Sequence, residues 1–362
     1  MNDLAGKKIY VIIDNITTGG GIERVCSVIL PLLAKEANIK IIGLLDKDSH
    51  TTYDFSNIHI VPLNKSNLSG QAGYLKLLSQ AFTIIKEDRP DIVLYPSMGR
   101  LTVFAAPFIL KDRLFSRKTK HVACEHIAFS SHSGLVLKLK RATLPRYDRV
   151  VFLTSRDIDQ FRNRSNLLYI PNPSPFTEVL QTRTAPSNKT AIGVGRLTYQ
   201  KGFDLLIPAW KDFTKRHPDW KLIIAGEGED RTKLQSLIEQ HELENHCELY
   251  GSSQDIGQLY KRADIMLMPS RFEGLPMSLI EAQYYSLPIV AFDCETGPRE
   301  IVTDGKDGYL VPTFDQKEFA DAIEKAIDPE KYEALSAAAA QNAKRFDRHE
   351  VIHHWRKLFN SL

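Results

Sequence analysis

Short runs rich in valine and isoleucine recur along this chain with helical patterns between them. KIYVIIDN, IKIIGLL, DIVLYPS, HVACEH and DRVVFLTS are separated by stretches such as GIERVCSVILPLLAKEA and GYLKLLSQAFTIIKEDRP. Strands apolar along their whole length must be covered on both faces, and strand–helix alternation supplies that cover. The pattern predicts an α/β, doubly wound parallel sheet with helices on either side. The alternation stops at YIPNPSPFTEV, where Pro171, Pro173 and Pro175 fall within five residues, and then restarts with TAIGVGRL, WKLIIAGEG, HCELYGS, ADIMLMPS, LPIVAFD and GYLVP. A chain of 362 residues exceeds what one hydrophobic core usually serves. Two Rossmann-like domains are therefore expected, residues 1–170 and 171–348, facing a cleft across a proline-rich hinge. The helical pattern at 349–362, with Val351, Ile352, Trp355, Leu358 and Phe359 on its apolar positions, is expected to return to the first domain.

Composition excludes several classes. Cys26, Cys124, Cys247 and Cys294 are scattered with no C-x-x-C pair, which argues against a zinc site or a disulfide framework and fits a reducing cytosol. The N-terminal apolar run IYVII is too short for a signal peptide, and LTVFAAPFIL is about half of what a bilayer span needs. The expected location is cytoplasmic. Charge is uneven: residues 101–150 carry ten lysines and arginines against three acidic side chains, a surplus of seven positive charges. Such a surface either faces an anionic partner or is a solvated basic face.

Each half opens with a strand running into glycines, IYVIIDNITTGGGIERV at 9–25 and AIGVGRLTYQKGF at 191–203. Neither matches the dinucleotide or P-loop spacing. GRLTYQKG is more informative, because Arg196 and Lys201 follow a strand end closely enough to lean over one ligand, the one a planar fork and the other a mobile point charge. Two such cations suit a diphosphate. The stretch SRFEGLPMSLIEA at 270–282 reads as a turn followed by a helix, with Pro276 at its first position. Free amides near 275–279 would then form an anion seat. Glu273 lies just outside that terminus and Glu281 about a turn inside, so each carboxylate can accept hydroxyls on one flank of the phosphates. That arrangement fits a nucleotide-sugar.

PSRFEGLP with E-x7-E at 273–281, together with VGRLTYQKGFDLL, the GGGIERV loop, LIIAGEGEDR and EIVTDGKDGYLV, resembles the family 4 retaining glycosyltransferases of GT-B fold. The resemblance spans nearly the whole chain and is strongest from about 190 to 315. It implies that Arg196 and Lys201 bind the donor diphosphate, that Glu281 holds the donor ribose and that Glu273 lies beside the donor sugar, orienting it and stabilising charge without acting as a covalent nucleophile. Gly226, Gly274, Leu275, Pro276, Met277, Ser278 and Leu279 are implied in donor binding. Gly20 and Gly21 are implied as the N-domain loop that approaches the phosphates, and His126 as the histidine near the reacting sugar. One departure is that Ser286 stands where many relatives have glycine, so the helix is expected to end without a left-handed glycine cap.

The resemblance also implies that no metal or cofactor is needed, the helix dipole, Arg196 and Lys201 neutralising the leaving group. Asp46-Lys47-Asp48 has the D-x-D shape of metal-using transferases but reads as a polar loop, and Asp157-Ile158-Asp159 reads as a helix start. The resemblance implies transfer of a hexose or N-acetylhexosamine from a UDP-sugar to a glycan acceptor in bacterial surface polysaccharide assembly, and the basic surface of the first half fits an acceptor carried on a polyprenyl diphosphate. SGLVLKLKRATLPRY at 133–147 alternates apolar residues with cations, and Lys138, Lys140 and Arg141 are expected to face anionic lipid at the inner side of the plasma membrane. No nucleic-acid partner is expected. The alternatives are a sugar-nucleotide epimerase of related fold, a nicotinamide-dependent oxidoreductase, which lacks its G-x-G-x-x-G, and a non-catalytic membrane-surface binder, which leaves both glutamates unexplained.

Overall fold

The computed structural model describes residues 4–116, 118–126, 134–159, 161 and 164–362. The chain divides into two compact units, residues 1–175 with 348–362, and residues 176–347.

The first unit runs β1 (Lys8–Ile13), α1 (Gly21–Leu33), β2 (Asn38–Gly43), β3 (His59–Pro62), α2 (Gly70–Asp88), β4 (Ile92–Tyr95), α3 (Arg100–Ser116), β5 (Lys120–Glu125), α4 (Gly134–Thr143), β6 (Arg149–Phe152), α5 (Ser155–Asp159) and β7 (Leu167–Tyr169). Its sheet has the order β3-β2-β1-β4-β5-β6-β7, parallel throughout. The second unit runs β8 (Thr190–Val194), α6 (Phe203–Thr214), β9 (Lys221–Ala225), α7 (Arg231–Gln240), β10 (Cys247–Gly251), α8 (Ile256–Arg262), β11 (Ile265–Met268), α9 (Met277–Tyr284), β12 (Ile289–Phe292), α10 (Pro298–Ile301), β13 (Gly308–Val311), α11 (Gln316–Ile327) and α12 (Pro329–Ala343). Its parallel sheet has the order β10-β9-β8-β11-β12-β13. A last helix, α13 (Arg348–Asn360), belongs to the first unit and packs on α1. The five apolar residues expected on its inner face are all buried, while His353 and His354 are exposed.

Central strands bear out the reading of continuous apolar runs: every residue of β4, β11 and β12 is buried. Two edge strands, β3 and β7, had no such signature. Their residues are exposed or half-buried, because an edge strand has a neighbour on one side only and needs no two-faced apolar run.

In each sheet the direction of strand addition reverses at its first strand, between β1 and β4 and between β8 and β11. Ligands of open α/β sheets bind outside the carboxyl ends of the strands at such a reversal. In the second unit the loops leaving β8 and β11 are the segments holding Arg196 and Lys201 on one side and Glu273 on the other.

Three local expectations need correction. Lys140 does not face a membrane: it is fully buried in α4 and pairs with the buried Glu125 carboxylate at the end of β5, so charge pairing within the fold claims it. Pro276 is the residue before α9, not its first, with an extended ψ of 116°. Ser286 does adopt the left-handed conformation, at φ 57°. The N–H of Ser286 donates to Gln283 O and that of Leu287 to Ala282 O, the paired bonds of a Schellman cap closed on a serine.

Candidate functional site

The loop after β8 is shaped by close backbone approaches. A Cβ on Gly226 would lie 1.9 Å from Gly195 O, and one on Gly228 would lie 2.2 Å from Leu197 O, so the loop leaving β9 can lie against the loop leaving β8 only with glycine there. Gly226, expected at the ligand, thus has a packing reason of its own. Arg196 projects from this loop, exposed, and its guanidinium has no partner among the described residues. Thr198 opens a short 3-10 turn, Tyr199–Lys201, which ends at Gly202 with φ 68°. The Lys201 stem passes over Gly195, where a Cβ would meet it at 3.0 Å.

Lys201 Nζ reaches Glu273 Oε1 at 2.6 Å, so two of the expected site residues are in direct contact across the sheet reversal. Glu273 is buried and its backbone is braced from behind, Thr296 Oγ1 donating to Glu273 O at 2.6 Å. Gly297, with φ 90°, would place a Cβ 2.4 Å from Gly274 O. Burial, and then the negative field of Glu273, push the nearby Cys294 thiol up to about 12.

α9 points its N-terminus into the same loop. Its preceding residue is Pro276, which has no side chain able to cap; its carbonyl takes the Leu279 and Ile280 amides, and those of Met277 and Ser278 have no acceptor among the described residues. Ser278, in that turn, is buried with a hydroxyl that has no hydrogen-bond partner among the described residues. A buried orphan hydroxyl is unusual in a folded protein and calls for a ligand or an ordered water. Glu281 lies one turn further along, buried, and Tyr260 OH of α8 donates to its Oε2 at 3.0 Å. Leu275 and Leu279 are buried.

Sequence reasoning missed the groups that hold these residues. Tyr260 bonds Glu281, Thr296 bonds the Glu273 backbone and Arg271 pairs with Asp204, and spacing alone does not reveal contacts made between loops. Arg271 lies inside the segment that named Glu273, yet nothing in the motif marks it as a partner of Asp204.

Gly20, Gly21 and His126 belong to the first unit. Gly20 precedes α1, and around Gly21 a Cβ would meet nothing within 4 Å, so the fold itself does not demand glycine there. His126 directly follows β5, half-buried, and burial drives its pKa down to about 4. The D-x-D segment is used structurally: Asp46 is buried, accepting from Ile16 N at 2.8 Å and Thr17 Oγ1 at 2.6 Å, which ties the loop after β2 to the loop after β1. Asp157 accepts from Thr154 Oγ1 at the start of α5. On α4, Lys138 and Arg141 are exposed. Ser133 of the basic segment lies outside the described residues.

Residues 179–346 match the family model described as glycosyl transferases group 1. The chain is 32% identical to the amylovoran biosynthesis glycosyltransferase AmsD of Erwinia amylovora, over 98% of this chain and 99% of that one. Among solved structures it is similar to the pneumococcal O-GlcNAc transferase GtfA in complex with UDP and GlcNAc, with a TM-score of 0.81 at 15% identity, covering 98% and 99% of the two chains. It is also similar to Anabaena HepE in complex with UDP-glucose, with a TM-score of 0.78 at 20% identity over 98% and 100%.

Proposed function

Since this chain belongs to the group 1 glycosyl transferases and has a GT-B fold, we propose that it moves a hexose or N-acetylhexosamine from a UDP-sugar to a hydroxyl of a growing surface polysaccharide, with retention of configuration. The observation that carries the donor reading is the N-terminus of α9, where the buried Ser278 hydroxyl has no partner among the described residues, at the end of the loop whose Glu273 holds Lys201, while Arg196 projects exposed from the loop that also carries Lys201. Helix dipole and two cations at one place offset the charge that develops on a departing diphosphate. In this reading Glu281 accepts the ribose hydroxyls. Glu273 holds the donor sugar and, through Lys201, keeps a positive charge aimed at the leaving group. Gly20 and Gly21 are candidates for phosphate contacts and His126 for a contact to the sugar.

Uridine is favoured because proteins of similar fold were solved with UDP or UDP-glucose. Polysaccharide assembly is favoured by the name of a relative aligned over nearly its whole length. A thermal-shift screen of UDP-, GDP- and ADP-sugars tests the donor. A UDP-sugar at a hundred times its Kd should add about 2.7 kcal/mol to stability. Arg196→Ala and Lys201→Ala should each lower donor use about ten- to a hundredfold. The double variant should lose both shift and transfer, and should melt somewhat lower when empty, since it leaves the buried Glu273 carboxylate without its cation. No shift with any nucleotide sugar, or an undiminished shift in the double variant, overturns the assignment.

For the acceptor we propose a lipid-linked glycan met at an anionic membrane surface. No helix among the described residues is long and apolar enough to cross a membrane. Helix α3 packs on α4, and the two expose Leu110, Leu114 and Leu139 beside Lys111, Lys138 and Arg141. Leu114 is 74% exposed, which a plain solvated face does not call for. Combined apolar and cationic exposure is what interfacial adsorption uses. Vesicles containing phosphatidylglycerol should sediment the protein at low salt, and Lys138→Glu with Arg141→Glu should abolish this. Binding that is absent, or equal on neutral vesicles, removes the proposal.

A further inference from the structure

The turn carrying Lys201 and the loop carrying Glu273 are zipped together by more than their ion pair. Arg271 N–H donates to Gln200 O at 2.8 Å, and Gln200 Nε2 donates to Phe272 O at 3.1 Å. The Arg271 guanidinium then closes the seam. Nη1 and Nη2 donate to the two Asp204 carboxylate oxygens at 2.8 and 2.9 Å, Nη1 also reaches Tyr199 O at 2.7 Å, and the group stacks 4.1 Å from the Tyr199 ring centre. Asp204 sits in the first turn of α6, just past Gly202, whose missing Cβ would fall 2.1 Å from Pro269 O. Both side chains are largely buried, Arg271 at 10% and Asp204 at 18% exposure.

This arginine has committed its fork to the protein, unlike Arg196, so it is not itself available to a phosphate. A two-pronged guanidinium–carboxylate pair fixes distance and angle together, which a lysine cannot do. Lys201 is the reverse case, a point charge on a flexible stem, and its position is only as good as the turn beneath it. Burial alone would raise the Asp204 pKa; the hydrogen bonds and charge of Arg271, with a smaller share from Lys233 at 3.5 Å, outweigh it and hold that carboxyl below its usual range, so the pair stays charged at neutral pH.

We propose that Asp204 and Arg271 are positioning residues that set Lys201 against Glu273 and thereby give the donor site its preference for a diphosphate over a monophosphate. The inference rests on the donor reading above. Neither residue touches the ligand. Their effect falls on the one cation whose reach they control, while the ribose end, held through Glu281 and Tyr260, is anchored elsewhere.

Calorimetric titration of the full chain with UDP and with UMP tests this. Arg271→Ala and Asp204→Asn should each weaken UDP about tenfold and leave UMP unchanged, so that the UMP-to-UDP ratio of Kd values collapses. Should Arg271→Ala melt below the working temperature, Asp204→Asn, which keeps volume and removes charge, reads the same ratio. An unchanged ratio, or equal weakening of both nucleotides, overturns the positioning role while leaving the donor reading intact. A wild-type protein that binds UDP no better than UMP overturns both.

Discussion

Arg196 and Arg271 carry the same guanidinium at the ends of adjacent strands, and their surroundings give them opposite tasks. The first is exposed with no partner among the described residues; the second is sealed between a carboxylate, a carbonyl and a ring. Residue type and spacing singled out Arg196, Lys201, Glu273 and Glu281 as candidates, because a ligand site needs particular chemistry at strand ends and helix ends, and the structure puts Lys201 in contact with Glu273. They misjudged Lys140, since a lysine in an amphipathic segment reads as surface until a buried carboxylate, here Glu125, is found beneath it. Burial also acts on His126, whose ordinary pKa of 6.5 falls to about 4 in the fold. Below pH 6.5 the unfolded chain takes up a proton that the folded one takes up only near pH 4. The stabilising difference is thus complete above 6.5 and is lost as pH falls from 6.5 towards 4. His126→Gln should flatten that loss: urea midpoints of wild type should drop relative to the variant across this window, and parallel curves would contradict the burial argument.

Helix α9 is only eight residues long, and both its ends do more than close it. At the start, the Met277 and Ser278 amides and the Ser278 hydroxyl have no partner among the described residues, which costs stability unless a ligand answers them. At the end, Ser286 takes the left-handed geometry that glycine usually supplies. Its Oγ donates to Leu180 O at 2.7 Å and its carbonyl accepts from Ser336 Oγ at 2.8 Å, contacts that offset the strain. Ser286→Ala keeps the strain and loses one bond, so it should cost about 1 kcal/mol. Ser286→Gly loses the same bond but relieves about 1–2 kcal/mol of backbone strain, and should be close to neutral. Differential calorimetry ranks the two, and a glycine variant less stable than the alanine one would refute this account. The serine itself was legible; that it would adopt φ 57° was not, because its hydrogen-bond partners lie far away in sequence.

Across the molecule, the matched family segment at 179–346 nearly coincides with the second compact unit, 176–347, while α13 returns its apolar face to the first. Removing residues 348–362 would strip Val351, Ile352, Trp355, Leu358 and Phe359 from the first unit's core. At roughly 1.5–3 kcal/mol per buried side chain this is on the order of 10 kcal/mol, comparable to a whole domain's stability. The truncated chain should lose one calorimetric transition and keep another that UDP still raises. Retention of both transitions would mean that α13 is dispensable to the first unit.

Alternation of two-faced apolar runs with helical periodicity was enough to specify parallel sheets covered on both sides, twice over, because burial on both faces is a property of local composition. The same text placed glycines, cations and carboxylates where strands end. It was silent on the edge strands β3 and β7, which need no apolar signature, and on the Lys201–Glu273 and Asp204–Arg271 pairs. Those contacts join residues about seventy positions apart, and only strand order, with β8 laid beside β11, brings them within reach of one another.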